Sequence, residues 1–202
     1  MDLTPELVLW GYSRGLFPMA ESRTGPIHWY EPTLRGILPL DRLKVSRSLS
    51  RVLRSGGFRC TYNTAFADVV SACADRESTW ISDEIADVYG ILHVEGRAHS
   101  VEVWRDSTLV GGLYGVGIRS AFFGESMFHR VTDASKVALV YLVAHMRRRG
   151  FTLLDMQFLT PHLETLGGIE ISQASYISLL NVALKLDADF CAAGVVSGPL
   201  YL

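Results

Sequence analysis

Cysteine is scarce in this 202-residue chain: Cys60, Cys73 and Cys191 are odd in number and widely separated. They match no disulfide framework and no metal spacing, so reduced thiols are expected. The six histidines add no ligand pattern; His93 and His99 lie six apart, which suits no common zinc motif, and no metal is expected. Long apolar runs are missing as well. Nothing approaches the roughly 20 residues that cross a bilayer, and MDLTPELVLW lacks the basic start of a secretory signal. The chain is therefore expected in the cytoplasm, off the membrane.

Neither sign of charge dominates: 19 basic and 21 acidic residues leave a net charge of −2. The average hides an asymmetry. The stretch RLKVSRSLSRVLRSGGFR, residues 42–59, holds six basic residues and no acid. Arg47, Arg51 and Arg54 are spaced by four and three, so a helix there carries them on one face. Such a face is either simply solvated or tracks phosphates.

What is plentiful is apolar surface. Hydrophobic residues make up 49% of the chain, enough to fill the core of one domain, or of one domain with a small appendage. Thr4-Pro5 predicts a helix start that runs to about Gly15. Pro18, Pro26 and Pro32 then punctuate an irregular stretch, the best boundary between a small N-terminal subdomain (1–34) and the main domain (35–202). Helices are expected over 46–55, over TAFADVVSACAD with Asn63 or Thr64 as cap, and over 82–95. SVEVW, LVGGLYGVGI and AFFGES follow as strands, with a turn at 105–107. Asp133 is placed to cap a long helix ending in Arg147, Arg148, Arg149 and Gly150; FTLLDMQF reads as a short buried strand, and LETLGG and ASYISLLNVALKL as closing helices. An antiparallel meander followed by a strand–helix–strand unit makes the class α+β.

LVGGLYGVG is not a nucleotide loop, since no Gly-Lys-Ser/Thr follows and no helix opens after it. Its glycines let a strand bend or a ligand approach. The Arg/Gln-x-x-Gly-x-Gly/Ala loop of ordinary acyl-CoA acetyltransferases is also absent before the long helix. Three features ask for chemistry. Glu125 sits among phenylalanines and a methionine in FFGESMFHR, where a carboxylate is costly unless satisfied or turned to water. Asp155 and Gln157, two apart in LLDMQF, share one strand face, as a core network or a site. Trp80, before a helix, is a core anchor or a platform for a base.

FPMAES, TWIS, AHSVEVW, LVGGLYGV, FFGESMF, DASKVALV and LLDMQF stand in the order found in leucyl/phenylalanyl-tRNA–protein transferases, and the resemblance runs from Thr4 to about Leu180. It implies a small N-terminal part and an acetyltransferase-like (GNAT-type) domain with a mostly antiparallel sheet flanked by helices. The end of an aminoacyl-tRNA replaces acyl-CoA, and no cofactor is needed. Leucine or phenylalanine, and methionine less readily, would pass to proteins beginning with lysine or arginine, marking them for degradation. By resemblance, Leu113, Phe122, Glu125, Met127 and Leu154 form the pocket for the aminoacyl side chain, Glu125 meeting its α-ammonium. Trp80 stacks on the terminal adenine, and Arg47, Arg51 and Arg54 meet the acceptor stem. Asp155 and Gln157 match the catalytic pair. Met19 departs from the tryptophan common after Phe-Pro, and Gln173 from a common arginine.

The implied reaction is aminolysis of an activated ester, in which alignment supplies much of the acceleration. An amide oxygen is a very weak base, so Gln157 is expected to orient the amine, with Asp155 holding either Gln157 or the acceptor's cationic end. A monomer is expected. Rival readings are an acetyltransferase-like enzyme with another acyl donor, a relative acting on N-terminal aspartate or glutamate, and a non-catalytic tRNA-binding module.

Overall fold

Thr4 accepts a hydrogen bond from the Leu7 amide and Pro5 fills the first turn, so helix α1 (Pro5–Tyr12) begins where the sequence places it. The computed structural model describes residues 3–190 and 194–196. Cys191 lies outside the described residues. After α1 the proline-punctuated stretch is more ordered than expected: β1 (Phe17–Ala20) and β2 (Ile27–Tyr30) form an antiparallel hairpin, with Pro18 opposite Trp29. A two-stranded ribbon has only edges, and proline is tolerated there.

The order continues β3 (Leu34–Ile37), α2 (Arg47–Arg54), β4 (Arg59–Tyr62), α3 (Phe66–Ala74), α4 (Asp83–Val94), β5 (Ala98–Arg105), β6 (Thr108–Ile118), β7 (Ala121–His129), α5 (Ala134–Arg149). It closes with β8 (Leu153–Gln157), α6 (Pro161–Thr165), β9 (Ile169–Ser172), α7 (Gln173–Ala183) and β10 (Gly194–Val196). Eight strands make one sheet in the order β10-β4-β5-β6-β7-β8-β3-β9. Every neighbouring pair is antiparallel except β7 and β8, which α5 connects as a crossover. This is the expected α+β class with a mostly antiparallel sheet flanked by helices.

Alternation along the strands builds a core on each face. Phe123, Tyr114 and Val116 pack with Val8, Tyr12 and Phe17 of the N-terminal segment and with Ile85 and Tyr89 of α4. Phe122, Leu113, Val101 and Val103 pack on the other face against Val137, Ala138, Val140 and Leu142 of α5. Helix α5 is buried along most of its length. It ends on Arg147, Arg148 and Arg149 before Gly150 at φ +80°, where cations suit the helix C-terminus.

Of the two expected caps, one stands in place without making a cap bond and the other gives way to its neighbour. Asp133 adopts φ +68° and pairs with Lys136 at 2.8 Å instead of bonding a helix amide. Ala65, not Asn63 or Thr64, precedes α3. Asn63 accepts the Ser100 amide, and Thr64 donates to the buried Glu102, so both serve the β4–β5 edge. The glycines of β6 make room for packing. A Cβ on Gly111 would stand 2.5 Å from that of Ala134, and one on Gly115 would collide with the Phe123 carbonyl oxygen.

Pairing between β7 and β8 covers only Ala121–Phe123 against Leu153–Asp155. Beyond Phe123 and Asp155 the two parallel strands part, and the sheet forks. A cleft opens in that fork.

Candidate active site in the fork of the sheet

The cleft has a volume of about 700 Å³ and is walled by the diverging strand ends, Gly124–Arg130 on one side and Met156–Phe158 on the other. Leu113, Leu139, Leu142 and Leu154 make an apolar wall, and Met19, Met127 and Met156 add three thioethers. Trp80 and the half-exposed Phe158 also line it. An apolar cleft with a few convergent polar groups is the usual form of a small-ligand site.

Glu125 and Gln157 lie two residues past the last paired residues of β7 and β8, so both point to the same side of the fork. Gln157 Nε2 donates to Glu125 Oε1 at 2.9 Å and bridges the strands where the ladder has stopped. Glu125 is buried (9% exposed), so it does not point into water. Tyr12 donates its hydroxyl to Oε1 at 2.6 Å and Tyr89 to Oε2 at 3.0 Å. The two hydroxyls also touch each other. With both protons aimed at the carboxylate, that third contact has none; a proton on Glu125 would close the ring formed by the two hydroxyls and the two carboxyl oxygens. The electrostatics agree. Burial pushes the Glu125 carboxyl up from 4.5 to about 7, the donors Tyr12, Tyr89 and Gln157 pull it down, and the charge of Asp155 adds to the rise. Burial, with the nearby Glu125 charge, raises Tyr12 and Tyr89 well above the ordinary tyrosine value, so they remain donors. The Tyr114 hydroxyl, on another cleft-lining residue, is buried without a partner.

Asp155 faces inward from the cleft and is wholly buried. Arg35 Nε donates to its Oδ1 at 2.9 Å and Nη2 to its Oδ2 at 2.6 Å. Tyr176 donates to Oδ2 at 2.7 Å, and the Gln157 amide to Oδ1 at 2.8 Å. Its charge is already matched by Arg35 and its acceptor positions are taken by Arg35, Tyr176 and the Gln157 amide, which leaves no free position for a further cation. Gln157 itself stands at φ +59°, in the left-handed region.

Of the residues singled out from the sequence, Trp80, Leu113, Glu125, Met127, Leu154 and Gln157 meet around the cleft. Phe122 does not. Its ring is fully buried on the α5 side, stacked on Phe190 at 5.4 Å and edge-on to Phe151 at 6.3 Å. Strand alternation sends Phe122 and Phe123 to opposite cores, so proximity to Glu125 in sequence does not bring Phe122 to the ligand space. Arg47, Arg51 and Arg54 lie exposed along α2, outside the cleft lining, and no carboxylate pairs with them among the described residues. Among the described residues no group of three His, Cys, Asp or Glu side chains could hold a metal, and no helix is long and apolar enough to cross a membrane. Tyr12, Tyr89, Arg35 and Tyr176 escaped the sequence reading. Arg35 carried a usable signal, a lone charge before the apolar GILPL, as Asp155 is lone in LLDMQF.

The forked sheet frames an oily cleft with a polar bridge at its base, and the relatives that share this chain's motifs place it among the aminoacyltransferases. The chain belongs to the leucyl/phenylalanyl-tRNA protein transferase family: the family model matches residues 37–181, and that of the family's N-terminal domain matches residues 1–33. A relative from Ruegeria sp. (strain TM1040), named leucyl/phenylalanyl-tRNA–protein transferase, is 52% identical over 100% of this chain and 97% of its own. Another of that name from Cereibacter sphaeroides (strain KD131) is 54% identical over 98% of this chain and 92% of its own. Among solved structures, an L-PGS from Bacillus licheniformis overlaps 79% of this chain and 55% of its own at 12% identity, with a TM-score of 0.43.

Proposed function

We propose that this protein moves leucine or phenylalanine, and methionine less readily, from aminoacyl-tRNA to the α-amino group of proteins beginning with lysine or arginine. In this reading it acts as a cytoplasmic monomer without a cofactor and marks its acceptors for proteolysis. Residues 1–34 form a small N-terminal subdomain on an acetyltransferase-type domain, 35–202. The observation that carries the reading is the Glu125–Gln157 bridge at the base of an apolar cleft.

The aminoacyl side chain lies against Leu113, Met127 and Leu154, where a flexible thioether adapts to leucine and phenylalanine alike. Its α-ammonium meets Glu125, whose carboxyl this positive charge draws into the ionised form. Shape differences of a methyl group discriminate by only about 1–3 kcal/mol, so selectivity is moderate. Trp80 stacks on the terminal adenine, and Arg47, Arg51 and Arg54 track phosphates of the acceptor stem. The acceptor's amine attacks the ester carbonyl, the C–O bond to the 3′-terminal ribose breaks, and the ribose oxygen leaves with a proton. Gln157 commits its Nε2 to Glu125, which leaves its amide oxygen to accept an N–H of the attacking amine and orient it. Asp155 takes part only by holding Gln157.

The test is incubation with labelled leucyl-tRNA and peptides differing only at their first residue. Label transfer to peptides beginning with lysine or arginine is expected. Transfer to aspartate or glutamate peptides, or binding of tRNA with no transfer at all, would sink this reading in favour of its rivals.

A further inference from the structure

We propose that Arg35, seconded by Tyr176, is a positioning residue of the transfer reaction: it locks Asp155 so that Gln157 presents its carboxamide across the fork. This rests on the role given to Gln157 above.

A carboxylate offers about four acceptor positions. Those of Asp155 are taken by Arg35 Nε, Arg35 Nη2, the Tyr176 hydroxyl and the Gln157 amide. The guanidinium is held as firmly as the carboxylate. Its Nη1 donates to the Gly15 carbonyl at 2.9 Å, and its central carbon lies 4.5 Å from the ring centres of both Phe17 and Tyr176. Only a planar fork makes this bidentate contact while stacking on two rings; a lysine cannot.

The consequence falls on Gln157. A residue other than glycine at φ +59° is strained, and the bond from its amide to Asp155 Oδ1 offsets that strain. Asp155 can make the bond only in the rotamer that Arg35 fixes. A circuit closes through the N-terminal segment: Gly15 donates to the Tyr12 carbonyl, and Tyr12 donates to Glu125, the partner of Gln157. Buried ion pairs contribute little net stability and are often replaceable by apolar groups, so an arginine buried to 1% exposure beside the site points to positioning.

The experiment measures kcat, KM for leucyl-tRNA and the pH profile of kcat/KM for Arg35→Lys, alone and in a Gln157→Ala background. A misplacement of about 1 Å costs about a hundredfold, so kcat of Arg35→Lys is expected to fall by about that factor with KM within about twofold. The acid limb of the profile should move to higher pH, because Glu125 loses a donor that lowers its pKa. The titratable groups facing Glu125 are Tyr12, Tyr89, Tyr114 and Asp155, none of which Arg35→Lys removes. In the Gln157→Ala background the same substitution should cost less than about twofold, since residues acting as one unit are not additive. Equal losses in both backgrounds, or an unmoved limb, would overturn the proposal and leave Arg35 a structural ion pair with the role of Gln157 intact. Full turnover by Gln157→Ala alone would remove the role of Gln157, and this proposal with it. Should Arg35→Lys fail to fold by circular dichroism, Tyr176→Phe carries the same comparison. It removes one hydroxyl, keeps the ring on the guanidinium, and is expected to lower kcat by about tenfold.

Discussion

The hydroxyl of Tyr12 lies 2.6 Å from Glu125 Oε1, joining the end of the first helix to a strand 113 residues later. Together with Tyr89 it surrounds a carboxyl that burial has pushed up to about 7. Proton uptake is thereby linked to folding. The folded protein binds the Glu125 proton more tightly than the unfolded chain, so this stabilisation is complete below about pH 4.5 and is lost as pH rises through about 7. The shift corresponds to something on the order of 3 kcal/mol. Denaturant titrations of the wild type and Glu125→Gln between pH 4 and 8 should show stability falling with pH in this window, with the variant's curve flatter. Parallel curves would refute it.

Removing Phe122 should injure the fold rather than the specificity. Phe122→Ala empties a buried site between Phe151 and Phe190 and is expected to cost about 3–5 kcal/mol of stability. Any loss of binding should then be equal for charged and uncharged tRNA. Met127→Ala, on the cleft wall, should instead weaken leucyl-tRNA more than uncharged tRNA, read as the ratio of the two dissociation constants.

The arginines of α2 should act through salt. Replacing Arg47, Arg51 and Arg54 by alanine is expected to lower the slope of log affinity against log salt by roughly 0.7–0.9 for each phosphate no longer neutralised. An unchanged slope in a filter-binding series would return these side chains to ordinary solvated surface.

Asp155→Asn removes a charge that Arg35 needs. Unpairing a buried arginine typically costs about 3–5 kcal/mol, so the melting temperature should drop along with turnover. Donor-tRNA affinity, measured below the new melting temperature, should stay near that of the wild type because Asp155 does not line the cleft.

The meander and α5 were legible because their signals are long: successive runs rich in β-branched and aromatic residues, with a turn at 105–107, for the strands, and an apolar run closed by three arginines and a glycine for the helix. Strands β3 and β9, four residues each, were not. Prolines disguised the first hairpin as a loop, and IEIS is too short for its alternation to stand out between Gly168 and a helix. In the site, Glu125 and the Asp155–Gln157 pair stood out as polar groups in apolar strands. Their partners did not, because Tyr12 and Tyr89 look like ordinary core aromatics on helices until the fold brings them to one carboxyl. Arg35 lies 120 residues from Asp155, and no local pattern couples them. Phe122 misled for the opposite reason: it is close to Glu125 in sequence, but the two-residue period of a strand turns it to the other face.

The cleft is walled by Met19, Met127 and Met156, three of the chain's five methionines, while Met146 is sealed in the core. A thioether takes up one oxygen atom from peroxide and becomes a polar sulfoxide, reversible only by dedicated reductases. Accessible thioethers are also where a buried one is not: in the path of the oxidant. The surface that should receive an oily side chain is therefore the surface that peroxide would wet first, which ties the working life of the cleft to the reducing power around it.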